Sequence, residues 1–198
     1  MTRRFAYADP PYPGQSFRHY RDHPDYAGEV DHEKLITELE RDFPAGWALS
    51  TSAAALPYVL SLCPRGEPSK KRQRSDGGTG VKLGTGVRVC VWMRSAGSPF
   101  PPSRVMWSWE PVIVRMPHWR QRHRHDFIRD TLVASQPHGF LGATITGQKP
   151  TAFCHWVFDL LGMTPEDDLV DVFPGSGVVG REFEAWRRQR TIFEEQPA

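Results

Sequence analysis

Asp9, Pro10, Pro11 and Tyr12 bring a carboxylate, a rigid backbone and an aromatic face to one place, directly after the apolar run Phe5, Ala6, Tyr7, Ala8. Proline fixes its own φ and disfavours helix in the residue before it, so the pair aims the Asp9 carboxylate and the Pro10 carbonyl outward from a strand tip. Two acceptors there suit an exocyclic amine on a nucleobase, which has two N–H donors and a lone pair delocalised into the ring. Holding both hydrogens draws the nitrogen toward tetrahedral geometry and frees the lone pair to attack. Tyr12 can stack on the face of such a base. A proline-rich turn with an exposed acid and an incidental tyrosine is the plain structural alternative.

A second constellation lies near the other end of the chain. The stretch VDVFPGSGVVG runs from an apolar strand into a turn at Gly175, Ser176 and Gly177 and then into a helix. Missing side chains let backbone amides approach a ligand closely there, and the amino end of the helix adds positive potential. Glu194 stands twenty-one positions after Phe173. An acid at the end of the next strand accepts hydrogen bonds from ribose hydroxyls in nucleotide-binding α/β folds, so this spacing suggests an adenosine-containing cofactor. Tight strand-to-helix turns also need glycine for structural reasons alone.

The elements that must position these residues read as follows. RRFAYA is a short buried strand stopped by prolines, and GQSFRHYRDHPDYAGEV a long loop over its end. Leu35, Ile36, Leu39 and Phe43 recur at helical spacing, with Asp31 as cap and Pro44 as stop. GWALSTS is a second strand, and AAALPYVLSLC a helix with an early proline. Residues 65–80, basic and glycine-rich with no large apolar side chain, read as a mobile surface loop. VRVCVWMR and SWEPVIVRM form an antiparallel pair at a sheet edge. TAFCHWVFDLLGM is a helix closed by Gly162, DDLVDVF a strand, REFEAWRRQR a helix, and TIFEE a last short strand. The expected fold is α/β and Rossmann-like: a mostly parallel twisted sheet with an antiparallel edge hairpin and helices on both faces.

Length and composition bound the function. The 198 residues, 39% hydrophobic, suit one domain spanning residues 1–198. A net charge of +2 means that affinity for nucleic acid must come from where the basic residues lie. Cys63, Cys90 and Cys154 lack CxxC spacing and read as reduced core thiols of a cytoplasmic protein. No apolar run reaches membrane-span length and the start lacks a signal-peptide stretch, so no membrane association is expected.

Together, the DPPY stretch, the Lys149-Pro150 pair in GQKP and the DVFPGSG turn resemble the amino DNA methyltransferases that use S-adenosylmethionine (SAM), in their permuted, β-class-like order. SWEPVIVR is similar to the family's strand before the target-recognition insertion. The resemblance implies a site-specific, adenine-specific DNA methyltransferase that transfers a methyl group to adenine N6, within DNA methylation and restriction-modification. It implies that Asp9, Pro10, Pro11 and Tyr12 hold the target amine and base. It places Asp171, Phe173, Gly175, Ser176 and Gly177 around SAM with Glu194 on the ribose hydroxyls, and Lys149 and Thr151 at a helix start that receives the cofactor carboxylate. Alternatives within the same reading are an RNA adenine-N6 or DNA cytosine-N4 methyltransferase, or an inactive nucleic-acid-binding subunit that kept the fold.

The chain departs from that family in two places. After Glu194 only four residues follow, where the family continues through another helix and strand, so the expectation is either a modest cofactor affinity or a homodimer or second subunit that completes the cofactor site, with Glu195 as an alternative ribose acceptor. The target-recognition insertion, at about residues 116–146, is short. At and within it Arg115, Trp119, Arg120, Arg122 and Arg124 are the candidate nucleic-acid contacts, with DNA (or RNA) as partner. His118, His123 and His125 lack a fourth ligand and lie among like charges, so no metal is expected.

Overall fold

The computed structural model describes residues 2–13, 28–73, 79–81, 85–98, 104–115, 127–135 and 148–194. Along the chain run β1 (Arg4–Ala8), α1 (His32–Asp42), β2 (Trp47–Ser50), α2 (Leu56–Leu62), β3 (Pro68–Gln73), β4 (Thr79–Val81), β5 (Arg88–Ser98) and β6 (Trp107–Arg115). They are followed by β7 (Thr131–Val133), α3 (Thr151–Leu161), β8 (Asp168–Asp171) and α4 (Val178–Glu194). Six strands make one sheet in the order β7-β5-β6-β2-β1-β8, and β3 pairs with β4 in a separate ribbon.

β1 is an interior strand, lying between β2 and β8, and its residues suit burial on both sides. Phe5, Ala6, Tyr7 and Ala8 are all buried, and large side chains face small ones across the strand pairs. Tyr7 sits beside Ala48 on one face, and Ala6 beside Trp47 on the other. Phe5 and Tyr7 join a core with Phe153, Val157, Phe158, Phe183 and Trp186 of α3 and α4. Ala6 and Ala8 join Leu35, Ile36 and Leu39 of α1 and Val59 of α2. Helices therefore cover both faces of the sheet, as the α/β reading requires. Asp31 caps α1, its carboxylate accepting from Lys34 N at 3.0 Å, and Gly162 closes α3 in the left-handed conformation. The three thiols are buried, and burial pushes Cys90 and Cys154 up to about 12.

β1 lies parallel to β2 and to β8, whereas β6 runs antiparallel to both β2 and β5. Arg3 locks the amino ends of β1 and β8 through an ion pair with Asp167, and Asp168 N donates to Arg3 O at 2.8 Å. At the other end Val172 N donates to Tyr7 O at 2.9 Å, which keeps the two strands in register up to their carboxyl tips.

Three sequence expectations are corrected. TIFEE is not a strand: the helix α4 runs unbroken to Glu194. Extending an established helix costs little even through β-prone residues, because nucleation has already been met. Residues 65–80 are not a loop throughout, since Pro68 pairs with Val81 and Gln73 with Thr79. Backbone groups carry that pairing, so a lack of apolar side chains removes the sequence signal without removing the strand. Residues 131–133, inside the span read as an insertion, form β7, parallel to β5. Trp92 Nε1 donates to Ala134 O at 3.0 Å and Trp156 Nε1 to Arg129 O at 2.8 Å, tying this stretch to the core.

Candidate functional site

The tips of β1 and β8 are neighbours. Tyr7 is in register with Asp171, so Asp9 continues from one strand where the glycine turn continues from the other. The early acid and the late turn, with Asp9 and Gly175 lying 166 positions apart in sequence, therefore share the carboxyl edge of the sheet, where α/β folds bind ligands.

On the β1 side, Lys149 is the centre of an ionic cluster. Its side chain is 5% exposed, and Nζ lies 3.2 Å from Asp9 Oδ2 and 2.9 Å from Glu110 Oε2. The ammonium also sits 5.5 Å from the ring centroid of Trp92 and 5.4 Å from that of Phe153, in the range of cation–π attraction. Glu110 Oε2 also accepts from Tyr12 Oη at 3.0 Å, and Glu110 Oε1 lies 3.5 Å from Arg94 Nη1. Beneath them the buried Tyr7 hydroxyl is 2.8 Å from Ser50 Oγ.

The charges settle unequally. Burial pushes the Asp9 carboxyl up, and Glu110 adds to this against the opposing pull of Lys149. Burial also works against ionised Glu110, but Lys149, Arg94 and the Tyr12 hydroxyl outweigh it and hold that carboxyl below its ordinary value. Burial alone would lower Lys149, yet the surrounding acids, Asp9 first, raise it well above the usual lysine value. Lys149 is thus a fixed cation between one strong acid and one weaker acid.

On the β8 side, burial and the charge of Asp9 push Asp171 up to about 6. Phe173 N–H donates to this carboxylate, but Oδ1 is buried with no hydrogen-bond partner among the described residues. Gly175 (φ 47°) and Gly177 (φ 68°) occupy left-handed backbone that side-chain-bearing residues rarely adopt. A Cβ on Gly175 would meet only Phe173 O, at 3.9 Å, so the turn is open to a ligand there. Gly177 N donates to Pro174 O at 2.6 Å, and α4 begins immediately after.

The structure sorts the sequence candidates. Asp9, Pro10, Pro11 and Tyr12 gather at one tip with Lys149; Asp171, Phe173, Gly175, Ser176 and Gly177 gather at the adjacent one. Lys149, expected on the cofactor carboxylate, instead has its charge engaged by Asp9 and Glu110. Thr151 Oγ1 donates to Glu182 Oε1 at 3.1 Å across the α3–α4 groove. Glu194 is corrected more strongly: sixteen helical positions separate it from Val178, about 24 Å at the helical rise, so it does not stand at a strand end beside the turn. Arg115 lies at the opposite edge of the sheet, its Nε 3.1 Å from Glu40 Oε1 and its Nη1 donating to Gly86 O at 3.3 Å. β6 carries Glu110 at the carboxyl edge and Arg115 at the other, which is why an arginine next to the insertion does not face the site. Trp119, Arg120, Arg122, Arg124 and the three histidines lie outside the described residues.

Sequence reasoning missed Glu110 and Arg94. A charged residue followed by proline inside the apolar strand SWEPVIV was the available signal for the first. Nothing local marks Arg94, which reaches Glu110 only because β5 and β6 pair as an antiparallel hairpin.

No family model matches the sequence, and no curated protein matches it. Among solved structures the chain is similar to the M1.HpyAVI-SAM complex, with a TM-score of 0.54 and 12% identity over 94% of this chain and 79% of that one. A second structure of M1.HpyAVI gives a TM-score of 0.50 and 14% identity over 94% of this chain and 78% of the other. At that identity the likeness is one of fold, and it agrees with the Rossmann-like architecture of the sheet and its two helical layers.

Proposed function

We propose that this chain is a SAM-dependent methyltransferase acting on the exocyclic N6 amine of adenine in DNA, of the permuted DPPY type. The observation that carries this reading is the shared edge of β1 and β8, which sets the Asp9 carboxylate beside the glycine turn. The likeness in fold to a protein crystallised with SAM supports it.

The residues at the turn fit that cofactor. An orphaned, buried carboxylate oxygen on Asp171 suits a cationic or N–H-bearing group, and the open backbone at Gly175 allows close approach. Asp171, Phe173, Gly175, Ser176 and Gly177 would hold it, with the amino ends of α3 and α4 favouring its carboxylate. When bound, the cofactor supplies an electrophilic methyl group on a sulfonium.

The chain's own residues prepare the amine. Asp9 Oδ2 is held by Lys149, which leaves Oδ1 to accept one N–H while the Pro10 carbonyl accepts the other. Tyr12 is anchored through its hydroxyl, so its ring can stack on a base swung out of the helix. The polarised nitrogen would accept the methyl group as the carbon–sulfur bond of the sulfonium breaks to leave a neutral thioether, and its proton would leave late, to water, so Asp9 works by positioning and need not be a strong base. Among the described residues no helix is long and apolar enough to span a bilayer.

Incubation with methyl-labelled SAM and separate DNA and RNA substrates, followed by digestion to nucleosides and mass analysis, tests the reading. Label in N6-methyl-2′-deoxyadenosine from the DNA is the expected result. Label in cytosine, or in RNA alone, would replace the substrate assignment. Absence of SAM binding by calorimetry, with and without DNA, would overturn the enzyme assignment itself.

A further inference from the structure

We infer that Glu110 is the positioning residue of this site: its carboxylate gathers Tyr12, Lys149 and Arg94, and through Lys149 it fixes Asp9 so that one oxygen is left for the substrate amine. This deepens the methyltransferase reading and rests on it for its functional part.

The geometry is specific. Glu110 is only 12% exposed, and a carboxylate so buried requires several hydrogen-bonding partners to remain ionised. It has them from three directions: Tyr12 beyond β1, Lys149 at the entrance to α3, and Arg94 on β5. β6 delivers it to the site against the direction of β1 and β2, since Ser50 is in register with Val112 and Thr51 N donates to Pro111 O at 3.2 Å. The next residue along, Glu110, therefore lies just past the end of β2, two positions beyond the Ser50–Val112 pair and on the same carboxyl edge as Asp9.

Lys149 has three N–H donors and two acids to share them. While Glu110 takes one at 2.9 Å, Lys149 approaches Asp9 through Oδ2, at 3.2 Å. Without the Glu110 charge, the ammonium would move fully onto Asp9 and compete for the oxygen that must receive the amine. Tyr12 would be left with a weaker, neutral acceptor for its hydroxyl. Neither change touches the glycine turn, so the predicted loss falls on turnover and leaves cofactor affinity intact.

Asp9 is faced by Lys149 from the start of α3, Glu110 from β6, Tyr7 within β1, Tyr12 along the chain and Asp171 from β8. Removing the Glu110 charge subtracts a repulsion from that set. Asp9 should then titrate at lower pH.

The test is Glu110→Gln, with Glu110→Asp as a charge-keeping partner. Melting curves establish that each variant is folded, calorimetry measures SAM affinity, and NMR titration of isotope-labelled aspartate carboxyls follows Asp9, assigned by its loss in Asp9→Asn. In Glu110→Gln, kcat should fall about tenfold or more, SAM affinity should stay within about twofold, and Asp9 should titrate below its parental pH. Glu110→Asp should hold Asp9 near its parental titration, and it supplies the measurement should the glutamine variant not fold. An unchanged Asp9 titration in a folded Glu110→Gln, or in the aspartate variant a titration moved to the unfolded value, overturns the inference. So does unchanged kcat in Glu110→Gln. If the parent transfers no methyl group to any nucleic acid, the functional reading fails by itself, while the Asp9 titration still decides whether Glu110 sets that carboxylate.

Discussion

Replacing Asp171 with asparagine should make the folded protein more stable while weakening its hold on SAM. In the folded chain the Asp171 carboxyl titrates at about 6, against an ordinary value of 3.8. An acid whose pKa is raised by folding opposes folding once ionised. Below about pH 4 both states carry the proton and there is no cost; the cost then grows with pH and levels off above about pH 6. A shift of about two units is worth roughly 3 kcal/mol at full strength, and the partial exposure of Asp171 reduces the expected gain to about 1–2 kcal/mol. Asparagine keeps the shape and removes the charge, so the melting temperature should rise by roughly 2–8 °C at pH 8 and by about half as much at pH 5. Differential scanning calorimetry at the two pH values, with and without SAM, measures this. Saturating SAM should narrow the gap, because a bound cation beside Asp171 stabilises the parent more than the variant. A variant that melts below the parent at pH 8, or that gains the same margin at both pH values, would refute the idea that this carboxylate is held against its own preference.

The other predictions concern residues at the two edges of the sheet. Asp9→Ala should cut turnover about 10²-fold or more and barely change SAM affinity, as single-turnover kinetics and calorimetry would show. Lys149→Met leaves two buried acids without their shared cation and should cost about 3–5 kcal/mol of stability at pH 8. Because Asp9 and Glu110 can then take up protons, that loss should shrink as pH falls toward 5, which chemical denaturation at several pH values would detect. Arg115→Ala should lose about 1 kcal/mol of stability by releasing Glu40 and the Gly86 carbonyl. It should leave DNA affinity and its salt dependence unchanged in fluorescence anisotropy, since Arg115 lies at the edge opposite Asp9.

How much of this was legible beforehand follows from the range of the interactions involved. The strand ending in DPPY, the helix capped by Asp31, the helix closed by Gly162 and the glycine turn after β8 all depend on neighbours within a few residues. Apolar periodicity, caps and turn residues report such elements directly. The order of the two motifs along the chain also pointed to a shared site, and the parallel pairing of β1 with β8 places them side by side. Glu194 was misread because its spacing was counted through a strand, where the chain in fact continues as helix. Arg115 lies away from Asp9 and the glycine turn, which adjacency to a basic stretch could not reveal, because it says nothing about which edge of a sheet a residue occupies.

What the sequence by itself determined is therefore a set of local elements and the types of group at their ends: a carboxylate before two prolines, glycines after an apolar strand, a lysine before a helix. Tertiary structure alone decided which of those groups share a proton or a charge. The hairpin of β5 and β6 brings Glu110 and Arg94 to the tip of a strand that lies about a hundred residues earlier in the chain, and the ammonium of Lys149 is oriented by both acids at once. Hydrogen bonds and ion pairs act over a few ångströms of space, whatever the distance along the chain. Only the folded arrangement of strands could assign them.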